Sequence, residues 1–207
     1  MSNHRIVALF VKPPIPGRVK TRLARDIGDQ AACDLYRRLA DHTIQQIQAS
    51  SIPLALFFDG SDPATLPPAW LQASQVCLPQ QGNDLGDRMA AAFRHLFAEH
   101  VKQAVLIGSD IPGIDAAYLQ QAFYLLNDHA MVLGPALDGG YCLIGFNQNH
   151  FAESIFQNIP WSTEHVLNLT LNAAAQAGLT VGLLPTLRDI DTVEDLQYLN
   201  PAKLQID

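Results

Sequence analysis

Two rhythms of apolar residues alternate along this chain. Short runs at Ile6 to Val11, Leu54 to Phe58, Ala104 to Ile107, Met131 to Leu133, Tyr141 to Phe146 and Thr180 to Leu184 predict β-strands, with a weaker one around Val76. Between them, apolar positions recur at helical spacing. Ala32, Leu35, Tyr36, Leu39, Thr43 and Ile47 do so after Gly28-Asp29, and Leu85, Met89, Ala92, Phe93, Leu96 and Phe97 after Asn83-Asp84. Such stripes belong to amphipathic helices that cover a sheet. Further helices are predicted from a start near Lys20, from Asp115 to Leu126, from Thr163 to Ala177 and from Thr192 to Leu199, whereas the Pro-rich stretch Ser61 to Pro68 reads as a surface loop. Strand and helix in repeated alternation predict an α/β fold, a mostly parallel sheet with helices on both faces. Ligands of such sheets collect beyond the carboxyl ends of the strands, which directs attention to polar residues that directly follow apolar runs.

Composition narrows the class. With 207 residues, 48% of them hydrophobic and 16% charged, the chain is expected to form one domain over 1–207 with a sizeable core. A net charge of −7 argues against nucleic acid or an anionic membrane as the partner. Ile6 to Val11 is too short for a membrane span or a signal peptide, and Cys33, Cys77 and Cys142 are far apart without metal-ligand spacing. Buried thiols in a reducing cytoplasm are the expectation. The histidines form no i, i+4 pair, so no zinc site is assigned, and the composition leaves homo-oligomerisation open.

Against this acidic background, five of the thirteen Lys and Arg residues (Lys12, Arg18, Lys20, Arg22 and Arg25) crowd into the segment that follows the first apolar run. A strand feeding a Pro/Gly-rich turn and then a helix aims amides and a helix dipole at an anion, and phosphate suits that geometry. The segment is not the G-x-x-x-x-G-K-[ST] loop, because Pro14 stands where the first Gly belongs and Gly17 is not adjacent to Lys20-Thr21. Pro13, Pro14 and Pro16 lack amide donors, so side-chain charge must do more, with Lys20 and Arg22 the best placed and Arg25 further along the helix. A solvated basic helix start is the plain alternative.

Aspartates follow three of the predicted strands: Asp110 in Ser109-Asp110-Ile111-Pro112, Asp138 before Gly139-Gly140-Tyr141, and Asp189 with Asp191 after the last strand. Carboxylates opposite a phosphate loop invite Mg²⁺ or Mn²⁺, which takes one or two of them plus phosphate oxygens. Two carboxylates in one site also repel, so Asp110→Asn is expected to leave the fold stable. Each motif has a structural alternative. Asp191-Thr192 with Glu194-Asp195 looks like a helix cap, Asp138-Gly139-Gly140 could be only a hairpin turn, and Gly82-Asn83-Asp84-Leu85 could be only a cap. Asp115 is better placed than Asp110 to cap the helix that follows it.

Taken together, Phe10 to Leu23, Gly82 to Met89, Ile107 to Pro112, Leu133 to Tyr141 and Asp189 to Leu196 resemble the radical-SAM/selenodomain-associated transferase 1 family of bacteria. That family is a glycosyltransferase-like branch of the nucleotide-diphospho-sugar transferase (GT-A) superfamily, similar also to phospholactate guanylyltransferase and molybdenum-cofactor nucleotidyltransferases. The resemblance covers nearly the whole chain and implies a GT-A, Rossmann-like fold. By resemblance, Lys12, Pro13, Gly17, Arg18, Lys20, Thr21 and Arg22 hold the nucleotide phosphates and Gly82, Asn83, Asp84 and Leu85 the base and ribose. Asp110 and Asp191 bind Mg²⁺ or Mn²⁺, and Asp138, Gly139, Gly140 and Tyr141 face the acceptor, with Asp138 as the base beside Lys20 and Arg22. Many glycosyltransferases carry Asp-x-Asp where this chain has Ser109-Asp110-Ile111, a single carboxylate as in nucleotidyltransferases. The implied substrates are a nucleotide sugar or an NTP and a small acceptor. Glycosyl transfer is the first expectation, nucleotidyl transfer the second, and nucleotide binding without turnover the third.

Overall fold

The computed structural model describes residues 4–199. Seven strands form one sheet: β1 (Arg5–Val11), β2 (Leu54–Phe58), β3 (Val76–Pro79), β4 (Gln103–Gly108), β5 (Met131–Pro135), β6 (Tyr141–Asn147) and β7 (Val181–Leu183). Their spatial order is β3-β2-β1-β4-β6-β5-β7, and every pairing is parallel except those of β6, which runs antiparallel between β4 and β5. All seven apolar runs read from the sequence are strands. The helices are α1 (Thr21–Ile27), α2 (Asp29–Ala49), α3 (Pro68–Ala73), α4 (Leu85–Ala98), α5 (Ala116–Leu125) and α6 (Val166–Gln176). No helix among the described residues is long and apolar enough to cross a membrane.

Side-chain alternation along the strands feeds two cores. Val7, Leu9, Leu56, Phe58, Val105 and Ile107 face α2, α3 and α5, where they meet Tyr36, Trp70 and Phe123. Ala8, Phe57, Leu106, Leu133, Ile144 and Phe146 face α4 and α6 and the buried ring of Phe93. A residue and its neighbour thus sit in opposite cores, as the period-two geometry of a strand requires.

Two expectations change. Thr192 to Leu199 is not an α-helix but a 3₁₀ turn over Val193–Tyr198, closed by a capping box in which Thr192 and Asp195 serve each other. The stretch read as a loop holds a 3₁₀ turn at Pro63–Thr65 and leads into α3, whose Trp70 is buried. Six residues are too few for a periodic signal, and the Pro67-Pro68 pair that pre-sets a first helical turn was the only local sign.

The sheet sets the place of the site. From β1 the chain moves outward to β2 and β3, and from β4 it moves the other way, so the two sides diverge between β1 and β4. A crevice opens at such a point beyond the carboxyl ends of the strands. Because β1, β4, β5 and β7 all run in one direction, the segments that follow them emerge at the same edge.

Candidate functional site

A cleft of about 900 Å³ occupies that edge. Lys12, Arg18, Lys20, Thr21 and Arg22 come to it from the segment after β1, Asp84 and Leu85 from the start of α4, Asp110 from the end of β4, Asp138 from the turn after β5, and Asp189 and Asp191 from beyond β7. Five sequence blocks spread over the chain therefore converge on one place.

At its centre Lys20 joins the two sides of the diverging sheet. Its ammonium donates to Asp110 Oδ2 at 2.7 Å and lies 3.7 Å from Asp191 Oδ1, with the Lys20 side chain only 4% exposed. Arg22 donates from Nη1 to Asp191 Oδ2 at 2.8 Å, its side chain 68% exposed. Two carboxylates and two cations thus form a compact alternating array. The same pairs explain why cations sit at the start of α1, where the helix dipole disfavours them: the aspartates offset it. Lys20 occupies the N-cap position with φ of 48°, a left-handed conformation that disfavours a residue with a Cβ. Burial and two ion pairs hold it there. Arg25, on the same short helix, is exposed and outside the cleft.

Tyr36 fixes the floor. From α2 its hydroxyl accepts the Lys12 N–H at 2.8 Å and lies 3.0 Å from Ser109 Oγ, tying the end of β1 to the end of β4. Burial raises the Tyr36 phenol well above its ordinary pKa, so the hydroxyl stays protonated. On the far side, Arg88 pairs with Asp59 at 3.3 Å and reaches Gln80, whose amide donates to the Phe57 carbonyl.

The capping motifs divide their labour. Asp195 accepts from the Asp191 and Thr192 backbone N–H groups, which leaves the Asp191 carboxylate for Lys20 and Arg22. Asp115 caps α5 through the Tyr118 N–H, which leaves Asp110 for Lys20. Asp84 caps α4 through the Asp87 N–H and still lines the cleft, and Asp138 accepts the Gly140 N–H while its carboxylate borders the cleft. Asp189 is half-buried; burial raises its pKa, and the neighbouring carboxylates of Asp138 and Asp110 push the same way.

Some residues named from the sequence lie off the cleft wall. Pro13 and Gly17 do not line the cleft, and Gly17 turns the loop at φ of 77°. Gly82 and Asn83 pack on α4, where Asn83 N–H donates to Asp87 and a Cβ on Gly82 would strike Asp87. Gly139, at φ of 87°, lets the turn press against the Glu164 backbone. Gly140 and Tyr141 line a second, adjoining cavity instead. Conversely, Tyr36, Gln80, Arg88, Ser162 and Arg188 line the cleft without having been assigned a role. Tyr36 occupied a core position of the α2 stripe, and nothing in its spacing separates a buried ring from a buried ring with a working hydroxyl.

The relatives agree with this architecture. Residues 42–163 match the model of a family described as "uncharacterized protein conserved in bacteria" (DUF2064). The crystal structure of a protein from Desulfovibrio desulfuricans G20, provisionally assigned as a nucleotide-diphospho-sugar transferase, is 36% identical, with a TM-score of 0.87 over 95% of this chain and 85% of that one. A 4-diphosphocytidyl-2C-methyl-D-erythritol synthase from Anaerococcus prevotii shares 10% identity at a TM-score of 0.62, covering 98% of this chain and 99% of that one. A CMP:2-keto-3-deoxy-manno-octonic acid synthetase complexed with CTP shares 10% at 0.56, covering 97% and 98%. At such identities these two establish the fold alone. No curated protein matches the sequence. Family model and near structural relative together show that this chain belongs to the DUF2064 family of bacterial proteins, built on the fold of nucleotide-diphospho-sugar transferases and cytidylyltransferases.

Proposed function

We propose that the protein is a transferase that uses a nucleotide-activated donor, with glycosyl transfer from a nucleoside diphosphate sugar to a small acceptor as its reaction. The observation that carries this reading is the buried Lys20 ammonium, shared by Asp110 and Asp191 at the point where the sheet diverges, in a cleft rimmed by Lys12, Arg18 and Arg22. Cations fixed in a partly enclosed cleft bind a diphosphate and stabilise the charge that grows on it as the sugar leaves. The five motif blocks further support membership of the radical-SAM/selenodomain-associated transferase 1 group.

Asp110 and Asp191 fit a divalent metal. Both present carboxylate oxygens to the cleft, at 36% and 33% side-chain exposure, and the ammonium between them stands where a cation is wanted. Among the described residues no three His, Cys, Asp or Glu side chains gather at ligand spacing, so phosphate oxygens and water would complete the shell of Mg²⁺ or Mn²⁺. When bound, such an ion would supply further neutralisation of phosphate charge. Lys20 and Arg22, released toward the donor, hold the diphosphate. The acceptor hydroxyl oxygen attacks the anomeric carbon, the bond from that carbon to the β-phosphate oxygen breaks with its electron pair on the diphosphate, and the hydroxyl proton passes to the Asp138 carboxylate.

The single carboxylate at Asp110 favours a second reading, nucleotidyl transfer from an NTP, in which Lys20 and Arg22 stabilise the attacked α-phosphate. Phosphorus NMR over hours with Mn²⁺ separates the two. Slow hydrolysis of a nucleotide sugar to nucleoside diphosphate is the expected result; pyrophosphate from an NTP, with nucleotide sugars untouched, would transfer the assignment to the second reading. Binding of nucleotides with no product from any acceptor would reduce the protein to a nucleotide-binding module.

A further inference from the structure

A second cavity of about 260 Å³ adjoins the cleft and shares Leu85, Asp110, Asp138 and Asp189 with it. Its inner wall is apolar: Met89, Ile111 and Val166 surround Tyr141 and Trp161, whose rings meet edge to face with centroids 6.5 Å apart. The one thiol on the wall, Cys142, has its pKa pushed up to about 12 by burial and is therefore neutral.

Charge is segregated between the two spaces. Lys12, Arg18, Lys20, Arg22, Arg88 and Arg188 all line the cleft, and among the described residues no Lys, Arg or His lines the second cavity. Its charged groups are three carboxylates, of which Asp110 is neutralised by Lys20, whereas Asp138 and Asp189 form no ion pair among the described residues. An apolar, aromatic-lined wall beside two carboxylates without an ion-pair partner repels an anion, admits a neutral apolar body, and favours a cation through charge.

We infer that this cavity takes the acceptor, and that the acceptor is a compact alcohol or amine with an apolar body and no negative charge, not a phosphorylated or carboxylated sugar. The inference rests on the transferase reading, since it assigns the cavity beside the donor cleft to the other substrate. The cleft takes the anionic partner, and the cavity takes the partner that must not compete for the same cations.

Three probes that share one phenyl ring and differ in charge test the inference directly: benzyl alcohol, protonated benzylamine and benzoate, titrated at pH 7 into the full-length protein by ligand-observed saturation-transfer NMR. The alcohol and the amine should bind at least tenfold more tightly than benzoate, about the effect of one like-charge contact near 4 Å. In Asp138→Asn/Asp189→Asn the preference for benzylamine over benzoate should fall by about tenfold or more. Benzoate binding as tightly as the alcohol, an unchanged preference in the double variant, or no binding of any probe would overturn the inference. A thermal-shift panel of UDP, GDP, CDP and ADP with Mn²⁺ tests the donor reading separately. Probe ranking as expected with no nucleotide response would sink the transferase and keep the cavity's selectivity; the converse would sink only the acceptor class.

Discussion

Replacing Lys20 with Met tests whether the space between Asp110 and Asp191 is a cation site. The ammonium is 2.7 Å from one carboxylate and 3.7 Å from the other, so a divalent ion entering without nucleotide meets a unit positive charge at close range. At about 4 Å that repulsion is roughly 2 kcal/mol even with the screening of bulk water, which corresponds to about thirtyfold in affinity. Lys20→Met should therefore bind Mn²⁺ about thirtyfold more tightly than the wild type when nucleotide is absent, measured by the loss of the free-ion electron paramagnetic resonance signal during titration. The variant should also lose nucleotide affinity if, as proposed, the same ammonium turns to the donor phosphates. Its fold should lose about 1 to 2 kcal/mol in urea unfolding, less than a fully buried pair would, since both carboxylates are a third exposed. Millimolar Mn²⁺ should restore that loss by binding the folded state. Unchanged or weaker Mn²⁺ binding in Lys20→Met would refute the carboxylate pair as a metal site. The array also reverses one expectation drawn from the sequence. Asp110→Asn was expected to relieve repulsion, but the nearest charge to Asp110 is Lys20, so the substitution removes an ion pair and should cost about 1 kcal/mol.

Arg22→Ala should weaken nucleotide binding by about 1.5 to 3 kcal/mol in calorimetry, and Arg25→Ala should leave it within error; equal losses would mean that diffuse charge does the binding. Gly139→Ala should destabilise the fold by about 2 kcal/mol or more in thermal or urea unfolding, because φ is 87° and the new Cβ would strike the Glu164 backbone; a neutral substitution would show that the β5–β6 turn can shift. Cys142, with a pKa of about 12, has a thiolate fraction of about 10⁻⁴ at pH 8 and should alkylate with iodoacetamide at least about 10³-fold more slowly than in the unfolded chain. Since this pKa is raised in the folded state, the stability it contributes is intact below about pH 8.5 and is lost as pH rises towards 12, a decline that Cys142→Ala should reduce.

The sequence by itself determined the seven strands, the long helices and the edge of the sheet where chemistry gathers. These follow from local physics: β1 and β4 each carry an unbroken apolar run, Ile6 to Val11 and Ala104 to Ile107, whose polar successors, Lys12 and Asp110, must leave the core, and α2 and α4 carry stripes wide enough to show their period. Caps were equally local, as Asp84 and Asp115 show. Three things only the tertiary structure decided. The antiparallel β6 has the same apolar run as a parallel strand would, and its direction comes from the short turn at Asp138 to Gly140 packing on Glu164. Tyr36 became a strut of the site because α2 lies across the ends of β1 and β4, a contact between residues 24 and 73 positions apart. Lys20 was read as a phosphate ligand and Asp110 and Asp191 as metal ligands, yet the three meet one another, 90 residues from Lys20 to Asp110. Opposite charges brought to one sheet edge pair across the cleft, and sequence spacing carries no record of that distance.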